Sequence, residues 1–189
     1  MMLGLVRHFK VEHPHPGRWL TAEQFDQWNE GYETAPIRRP EARGNEQQWD
    51  LCLCSDQARA VHTASYFAAK EFIYSGQLRE VGITAFRPGK LKLGGLRLPV
   101  SCWLVFGRLA WAAGHPSQPE SRAAVRQRAA TVIDKLLAEA ESALPEGRVL
   151  MVSHGVFMKM LDDELRRRGY KGQRMGYPHN GLLYKYEKQ

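Results

Sequence analysis

Short apolar runs alternate along this chain with segments whose apolar residues recur at helical spacing. Runs over residues 3–6, 49–54 and 148–152 each end abruptly at polar side chains. A strand buried inside a parallel sheet has this pattern, because both of its faces are covered. The sequence therefore predicts three such strands, with further strands near residues 72–74 and 182–186.

Helices are predicted between these strands. Capping-box patterns at residues 21–24 and 117–120 predict two helix starts, and Ser55 or Asp56 is placed to cap a third. A further helix is expected near residues 100–113 and another after residue 155. The helix that begins after residue 117 has the clearest apolar stripe, formed by Val125, Ala129, Val132, Leu136 and Ala140.

Strands that alternate with helices predict an α/β fold, here a three-layer αβα sandwich with a mostly parallel central sheet. The length of 189 residues suits a single domain spanning 1–189. Residues 84–116 mix Gly, Pro, basic and large apolar side chains, which indicates a cap-like insertion. Ligands of such folds bind at the carboxyl ends of the strands, so the site is expected there.

Composition and charge narrow the class of protein. Hydrophobic residues make up 43% and charged residues 25%, as in ordinary globular proteins. The 27 Lys and Arg against 20 Asp and Glu give a net charge of +7, which favours an anionic partner. No apolar run approaches the ~20 residues of a membrane helix. We expect a cytoplasmic protein with no membrane contact and with reduced thiols at Cys52, Cys54 and Cys102.

Polar motifs follow three of the predicted strands. Arg7 and His8 follow the first strand, Ser55, Asp56 and Arg59 the second, and Ser153-His154-Gly155 a later one. Two guanidinium groups can spread positive charge over phosphoryl oxygens, and a neutral imidazole can then attack phosphorus. The pattern indicates a phosphate site in which His8 is the nucleophile.

The remaining polar residues suit supporting roles in this chemistry. His154 and Gly155 begin a helix, so the imidazole and the N-terminal amides are expected to bind phosphoryl oxygens together with Arg7 and Arg59. Glu80 is the candidate acid that protonates the departing oxygen and then activates water.

Together these motifs resemble the histidine phosphatase superfamily, which has the phosphoglycerate-mutase-like fold. Glu80 in Leu78-Arg79-Glu80 resembles the acid position of that family, and Glu120-Ser121 resembles its Gly-Glu-Ser segment. The resemblance, in the phosphatase branch, implies a metal-independent phosphomonoesterase without a cofactor. It implies a phosphohistidine intermediate on His8 and a small phosphorylated substrate.

The first motif departs from the family pattern of Arg-His-Gly-x-Thr followed by Asn. Phe9 stands at the Gly position, and Val11 and Pro14 replace the two polar residues. We therefore expect an apolar substrate pocket, with Phe9, Trp103 and Phe106 in its wall. The substrate's identity stays open, as does any effect of the altered motif on activity.

Two other functions share these motifs. A mutase of the phosphoglycerate type would return the phosphoryl group to a bound acceptor, and a phospholigand-binding regulatory module would not turn over. Nucleic-acid binding is disfavoured, because only the net charge supports it. No metal site is expected, since His13 and His15 lack a third ligand. A run of basic residues near the carboxyl end indicates a solvated helix face; it comprises Arg166, Arg167, Arg168, Lys171 and Arg174. The oligomeric state stays open.

Overall fold

Six strands form one sheet in the computed structural model, which describes residues 1–17, 19–38, 47–87, 95–138 and 146–188. The order across the sheet is β3-β2-β4-β1-β6-β5. Neighbours among β1 to β4 are parallel, whereas β6 runs antiparallel to β1 and β5 antiparallel to β6. The strands are β1 Met2–Arg7, β2 Trp49–Ser55, β3 Ala69–Ser75, β4 Arg148–Ser153, β5 Tyr170–Gly172 and β6 Leu183–Lys188.

Five helices and one 3-10 turn connect the strands within the described residues. The first helix begins after Thr21, whose side chain and that of Gln24 form the predicted capping box. The 3-10 turn Gly76–Leu78 follows β3 and leads to Glu80. The helices are α1 Ala22–Thr34, α2 Ala58–Ala64, α3 Val100–Ala112, α4 Arg122–Val132 with a π-helical turn at Ile133–Leu137, and α5 Gly155–Arg167.

The sheet buries both faces, as the predicted sandwich requires. On one face, Leu3 and Leu5 of β1 pack in a cluster with residues of α4 and α5 such as Val125 and Phe157. On the other face, Val6 packs with residues of β2 and α2. Because successive side chains of a strand point to opposite faces, this alternation puts one helical layer on each side. The predicted α/β fold with a mostly parallel sheet is confirmed.

The caps of two helices differ from the prediction. The N-cap of α2 is Gln57, which makes no side-chain cap bond, and not Ser55 or Asp56; Oγ of Ser55 accepts from the amide of Gln57 itself. The fourth helix is capped by Ser121, whose side chain accepts from the amide of Ala124, and not by the pattern at residues 117–120. Ser117 is instead engaged with His115 and Gln118, which removes it from a capping role. Of the predicted stripe, the part over residues 125–132 is buried. Ala140 lies outside the described residues.

The segment predicted as an insertion, residues 84–116, contains α3. This helix packs beside α1, where Trp103 and Phe25 share a small buried cluster. Residues 88–94 lie outside the described part of the chain, so the division into one domain with a cap stays a prediction. No described helix is long and apolar enough to cross a membrane.

Close packing at Gly4 leads to a stability prediction. A Cβ atom at this position would lie 2.4 Å from Cη2 of Trp49, a fully buried indole that fills the space beside β1. Overpacked cores lose about 1–3 kcal/mol, so we expect Gly4→Ala to lower the free energy of unfolding by that amount in urea titrations. Gly176→Ala is the control, since no described atom lies within 4 Å of its added Cβ. Equal stability of the two variants would contradict this packing.

Candidate active site

The carboxyl ends of β1, β4 and β2 lie side by side and bring the predicted residues together. Arg7 is paired with Ser153, and Cys54 with Val152. The residues that follow, His8, Ser55 and His154, therefore emerge at the same edge of the sheet. His8, Arg59 and His154 are each at most 2% exposed. Such burial of polar side chains is rare unless they are partnered, and here each one is.

The ring of His8 is fixed in one tautomer by the chain itself. Its Nδ1 lies 2.7 Å from the carbonyl oxygen of Phe9, which can only accept a hydrogen bond. Nδ1 therefore carries the proton, and Nε2 keeps its lone pair. His8 also lines the main cavity of the site. Nε2 is therefore the nitrogen with a free lone pair, and the role of His8 as nucleophile stays a prediction.

The backbone of His8 is held from three sides. Its amide donates to the carbonyl of Ser153 at 3.0 Å, and its carbonyl accepts from Nδ2 of Asn180 at 2.7 Å. The next amide, that of Phe9, donates to Oγ1 of Thr63 in α2 at 2.9 Å. The imidazole is thus positioned by β4, by α2 and by the loop before β6. Sequence reasoning missed Asn180, which is far from the motifs in the chain.

His154 links the two helices that flank the site. Its Nδ1 accepts from Nε of Arg59 at 3.2 Å, and its Nε2 lies 2.9 Å from Oγ of Ser55. Because guanidinium only donates, His154 carries its proton on Nε2 and donates it to Ser55. The ring lies 5.0 Å from that of His8, centroid to centroid. Both nitrogens of His154 have protein partners, so its expected contact with phosphoryl oxygens stays a prediction.

Arg59 is oriented by the residues around it. Besides the bond to His154, its guanidinium donates to the carbonyl of Glu33 at 3.2 Å and to Oε1 of Gln57 at 3.0 Å. The ring of Tyr32 lies under the guanidinium carbon at 5.6 Å. Arg59 lines the cavity with its position fixed, as a preorganised phosphate ligand requires.

Arg7 faces the same cavity from the end of β1. One of its amino groups donates to the carbonyl of Pro178 at 3.1 Å, while its buried Nε has no hydrogen-bond partner among the described residues. Tyr177 covers the guanidinium at 4.9 Å. A Cβ at Gly155 would lie 2.8 Å from the Tyr177 hydroxyl and 3.3 Å from the guanidinium carbon of Arg7. Gly155 is therefore needed for this close approach.

Glu80 sits at the amino terminus of α5. Its Oε1 accepts from the amides of Val81 at 2.8 Å and Phe157 at 3.1 Å, and its Oε2 accepts from the amide of Val156 at 3.3 Å. A carboxylate is stabilised at a helix N-terminus, where amides lack partners within the helix. Glu80 therefore occupies two of the amides that the sequence assigned to phosphate. The side chain still lines the cavity.

An ion pair between Arg128 and Glu120 supports the segment that carries Glu80. Arg128 forms a two-pronged bond with Glu120 at 2.9 and 2.8 Å. The same guanidinium donates to the carbonyls of Gln77 and Arg79 at 2.8 Å each. This contact explains the position of Glu120 before the long helix, since Glu120 orients the arginine that fixes the Glu80 loop.

The electrostatics of the pocket keep both histidines neutral. Burial lowers the pKa of His8 to about 3; the Phe9 carbonyl opposes this shift, and the charges of Arg59 and Arg7 add to it. Burial also lowers the pKa of His154 well below its ordinary value, with His8 and Arg59 as further causes. A neutral imidazole has the lone pair that nucleophilic attack requires.

The cavity at this edge has a volume of about 240 Å³. It is partly open to solvent, and both charged and apolar side chains line it. Its lining comprises Arg7, His8, Trp28, Asn29, Tyr32, Glu33, Arg59, Glu80, Val81, Gly82, Ile83, Leu104, Arg108 and Tyr177.

The three expected residues of the substrate wall are not among those lining this cavity. Phe9 is buried against Tyr66 and Gly181, because its ring turns into the core. Trp103 is 1% exposed and donates its indole N–H to the carbonyl of Leu20. Phe106 is 42% exposed on α3. The apolar wall comes instead from Trp28, Ile83 and Leu104, whose helical or loop spacing resembles ordinary packing in the sequence.

The described residues include no group of three or more His, Cys, Asp or Glu side chains arranged to hold a metal ion. His13 contacts the carbonyl of Trp28 at 3.0 Å, and His15 accepts from the amide of Gly17. These contacts account for both histidines of the Pro-rich loop.

The fold and the site define the class of this protein. A model of the histidine phosphatase superfamily, branch 1, matches residues 3–186, so the chain belongs to that superfamily. No curated protein sequence matches this chain.

Several solved structures share the fold at low identity. A mycobacterial glucosyl-3-phosphoglycerate phosphatase is 18% identical, with a TM-score of 0.57 over 97% of this chain and 88% of its own. A structure described as mycobacterial hydrolase 1 is 20% identical, with a TM-score of 0.57 over 97% and 90%. The product of an open reading frame of Mycobacterium tuberculosis is 19% identical, with a TM-score of 0.50 over 97% and 89%.

The buried His8 predicts how stability depends on pH. Its pKa is about 3 when folded and ~6.5 when unfolded, so the unfolded chain binds more protons between these values. The free energy of unfolding should therefore fall as pH decreases from 7 toward 4. His8→Gln should weaken this dependence in urea titrations at a series of pH values. His62→Gln removes an exposed histidine and should keep the wild-type slope; an unchanged slope in His8→Gln would contradict the assignment.

Proposed function

We propose that this protein is a metal-independent phosphatase that hydrolyses a phosphomonoester through a phosphohistidine on His8. The observation that carries the proposal is the bond from Nδ1 of His8 to the Phe9 carbonyl, which leaves Nε2 unprotonated beside Arg7 and Arg59. A phosphate dianion repels nucleophiles until its oxygens are neutralised, and two fixed guanidinium groups supply that charge.

The first chemical step transfers the phosphoryl group to the enzyme. Nε2 of His8 forms a bond to phosphorus while the bond from phosphorus to the ester oxygen breaks. Glu80 gives its proton to the departing oxygen, so an alcohol leaves. Oε2 of Glu80 suits this role, because its one amide contact, to Val156, is longer than either bond to Oε1.

The second step releases phosphate. Water attacks the phosphorus atom of the phosphohistidine, and Glu80 accepts a proton from the water as the bond to Nε2 breaks. His8 returns to its neutral form, which burial favours. The structural relative that is a glucosyl-3-phosphoglycerate phosphatase supports hydrolysis of a small phosphorylated molecule as the reaction class. The free cysteines suit a reducing compartment such as the cytoplasm.

The covalent intermediate can be tested directly. Rapid acid-free quenching of turnover with a ³²P-labelled ester should trap a phosphate on His8 that is stable to base and labile to acid. His8→Ala should form none, whereas His62→Ala, which removes an exposed histidine of α2, should label as wild type does. Activity should survive EDTA and be blocked by vanadate. Turnover without a labelled enzyme would contradict covalent catalysis.

The same experiment separates the phosphatase from its alternatives. In ¹⁸O-labelled water, a phosphatase releases phosphate that contains one labelled oxygen. A mutase gives a phosphorylated organic product without the label, and a binding module gives no product. Labelled phosphate is the expected outcome.

The role of Glu80 predicts a dependence on the leaving group. Glu80→Gln keeps an oxygen that can accept the amide bonds of Val81 and Phe157 but cannot donate a proton as an acid. It should lower kcat/KM for alkyl phosphates by about 10²–10⁴-fold and have a much smaller effect on 4-nitrophenyl phosphate, whose departing oxygen needs no proton. Asp56→Asn is the control, because it breaks only the surface ion pair with Arg79. Equal losses on both esters would assign the acid elsewhere.

A further inference from the structure

The cavity extends beyond the phosphate site along the segment that follows Glu80. Val81, Gly82 and Ile83 form one side of this extension, and Trp28 and Leu104 add apolar surface. Val81 is fully buried and Ile83 is 8% exposed, so this side is set by packing. Trp28 and Leu104 are partly exposed and present apolar surface to a ligand in this part of the cavity, whereas the side chain of Val81 is covered.

The proposed reaction orients the ester within the cavity. Glu80 must lie next to the departing oxygen, since it protonates that oxygen. The leaving group is attached to this oxygen, and residues 81–83 follow Glu80 directly. The body of the leaving group therefore lies against the apolar extension. This step rests on the proposed function.

Helix α3 packs closely against the segment of residues 81–84. A Cβ at Gly107 would lie 2.7 Å from Cγ1 of Ile83 and 3.0 Å from the carbonyl oxygen of Thr84, so only glycine allows this approach. Leu104 and Arg108 lie one turn apart on α3, and both line the cavity. The helix thus brings an apolar and a cationic side chain to the same wall.

Arg108 is a cation without a carboxylate partner among the described residues. Its amino group donates to the carbonyl of Val81 at 3.2 Å, which fixes the guanidinium beside the apolar extension and leaves other N–H donors free. Of the two carboxylates that line the cavity, Glu80 accepts from the amides of α5, and neither one forms an ion pair with Arg108 among the described residues. By contrast, Arg79, Arg87 and Arg128 each pair with an acid.

We propose that Arg108 selects phosphomonoesters whose leaving group is an apolar body that carries a second anionic group. The phosphoryl group occupies the end with Arg7, His8 and Arg59. The apolar body lies along Ile83, Trp28 and Leu104, and the second anion accepts hydrogen bonds from Arg108. Carboxylate and phosphate share the geometry that a guanidinium binds with two parallel bonds.

Four aryl phosphates test this specificity. They are phenyl phosphate, 4-carbamoylphenyl phosphate, 4-carboxyphenyl phosphate and 1,4-phenylene bisphosphate, so the last two carry the second anion as carboxylate or phosphate. The measured quantity is the ratio of kcat/KM for each anionic ester to that for the neutral carbamoyl ester. Comparing this ratio between enzyme variants cancels the intrinsic reactivity of each ester. A poorly folded fraction also cancels, because both esters meet the same preparation.

Arg108→Gln should lower the ratio by about 10- to 100-fold, the usual range for loss of a charge-assisted hydrogen bond. Arg108→Lys should restore part of the ratio, since it keeps the charge but loses the planar fork. Arg97→Gln is the matched control, because Arg97 is an exposed cation just before α3 that does not line the cavity; it should keep the wild-type ratio.

The outcomes separate the two proposals. A ratio unchanged in Arg108→Gln, while the wild type hydrolyses the esters, overturns the role of Arg108 alone. An equal fall in Arg97→Gln also overturns it, since the effect would then be general attraction of anions. If the wild type hydrolyses none of the four esters but forms the phosphohistidine with an alkyl phosphate, this inference fails and the proposed phosphatase activity stands. If it reacts with neither kind of ester, both fail. A fall for only one anionic ester would support the proposal and identify the anion.

Discussion

The hydrogen bond from Nδ1 of His8 to the carbonyl of its own neighbour, Phe9, is the constraint on which the rest of the site depends. A buried imidazole beside two guanidinium groups is neutral, and a neutral imidazole still has two tautomers. The bond to a group that only accepts selects the one with Nε2 unprotonated. Every contact that fixes the Phe9 peptide therefore also fixes the nucleophile. These contacts come from Thr63 of α2 and, through the His8 backbone, from β4 and Asn180.

The charges around this imidazole are kept apart by protein groups. Arg59 donates to His154, Gln57 and a carbonyl oxygen, while Glu80 accepts from the amides of α5. Gln57 also accepts from the Glu80 amide at 3.4 Å, so one side chain connects the cation to the acid segment. A direct Arg59–Glu80 pair would neutralise the charge that phosphate needs. Holding each group on separate partners preserves an electropositive end and a proton donor in one cavity.

Much of the fold and the catalytic end of the site could be predicted from the sequence, because both follow from local patterns. Apolar runs that end in polar residues predicted β1, β2 and β4, and parallel pairing brings their carboxyl ends together. The substrate wall could not be predicted in this way. Leu104 and Arg108 come from α3, whose outward and inward faces look alike in the sequence because it is apolar on nearly all sides. Trp28 shares helical spacing with Phe25 in α1, which in the sequence indicates ordinary packing. Strand β5, with three residues, is too short to produce a pattern. Asn180 and Tyr177 act through a loop that reaches the site only after folding.

Phe9 stands where the family motif has Gly, and this change leaves the position of the neighbouring His8 intact. The ring of Phe9 lies against the place where Gly181 would carry a Cβ, 2.7 Å from Cδ1 of the ring. Gly181 has φ of +72°, a backbone conformation that also favours glycine. The large residue after the histidine is thus accommodated by a glycine at another position, Gly181, in the loop before β6. The amide of Gly181 donates to the Arg7 carbonyl, and Nδ2 of Asn180 donates to the His8 carbonyl. These two hydrogen bonds hold the loop before β6 against the end of β1. A large ring beside His8 therefore adds packing that holds the His8 backbone, and the apolar lining of the cavity comes from other residues, Trp28, Ile83 and Leu104.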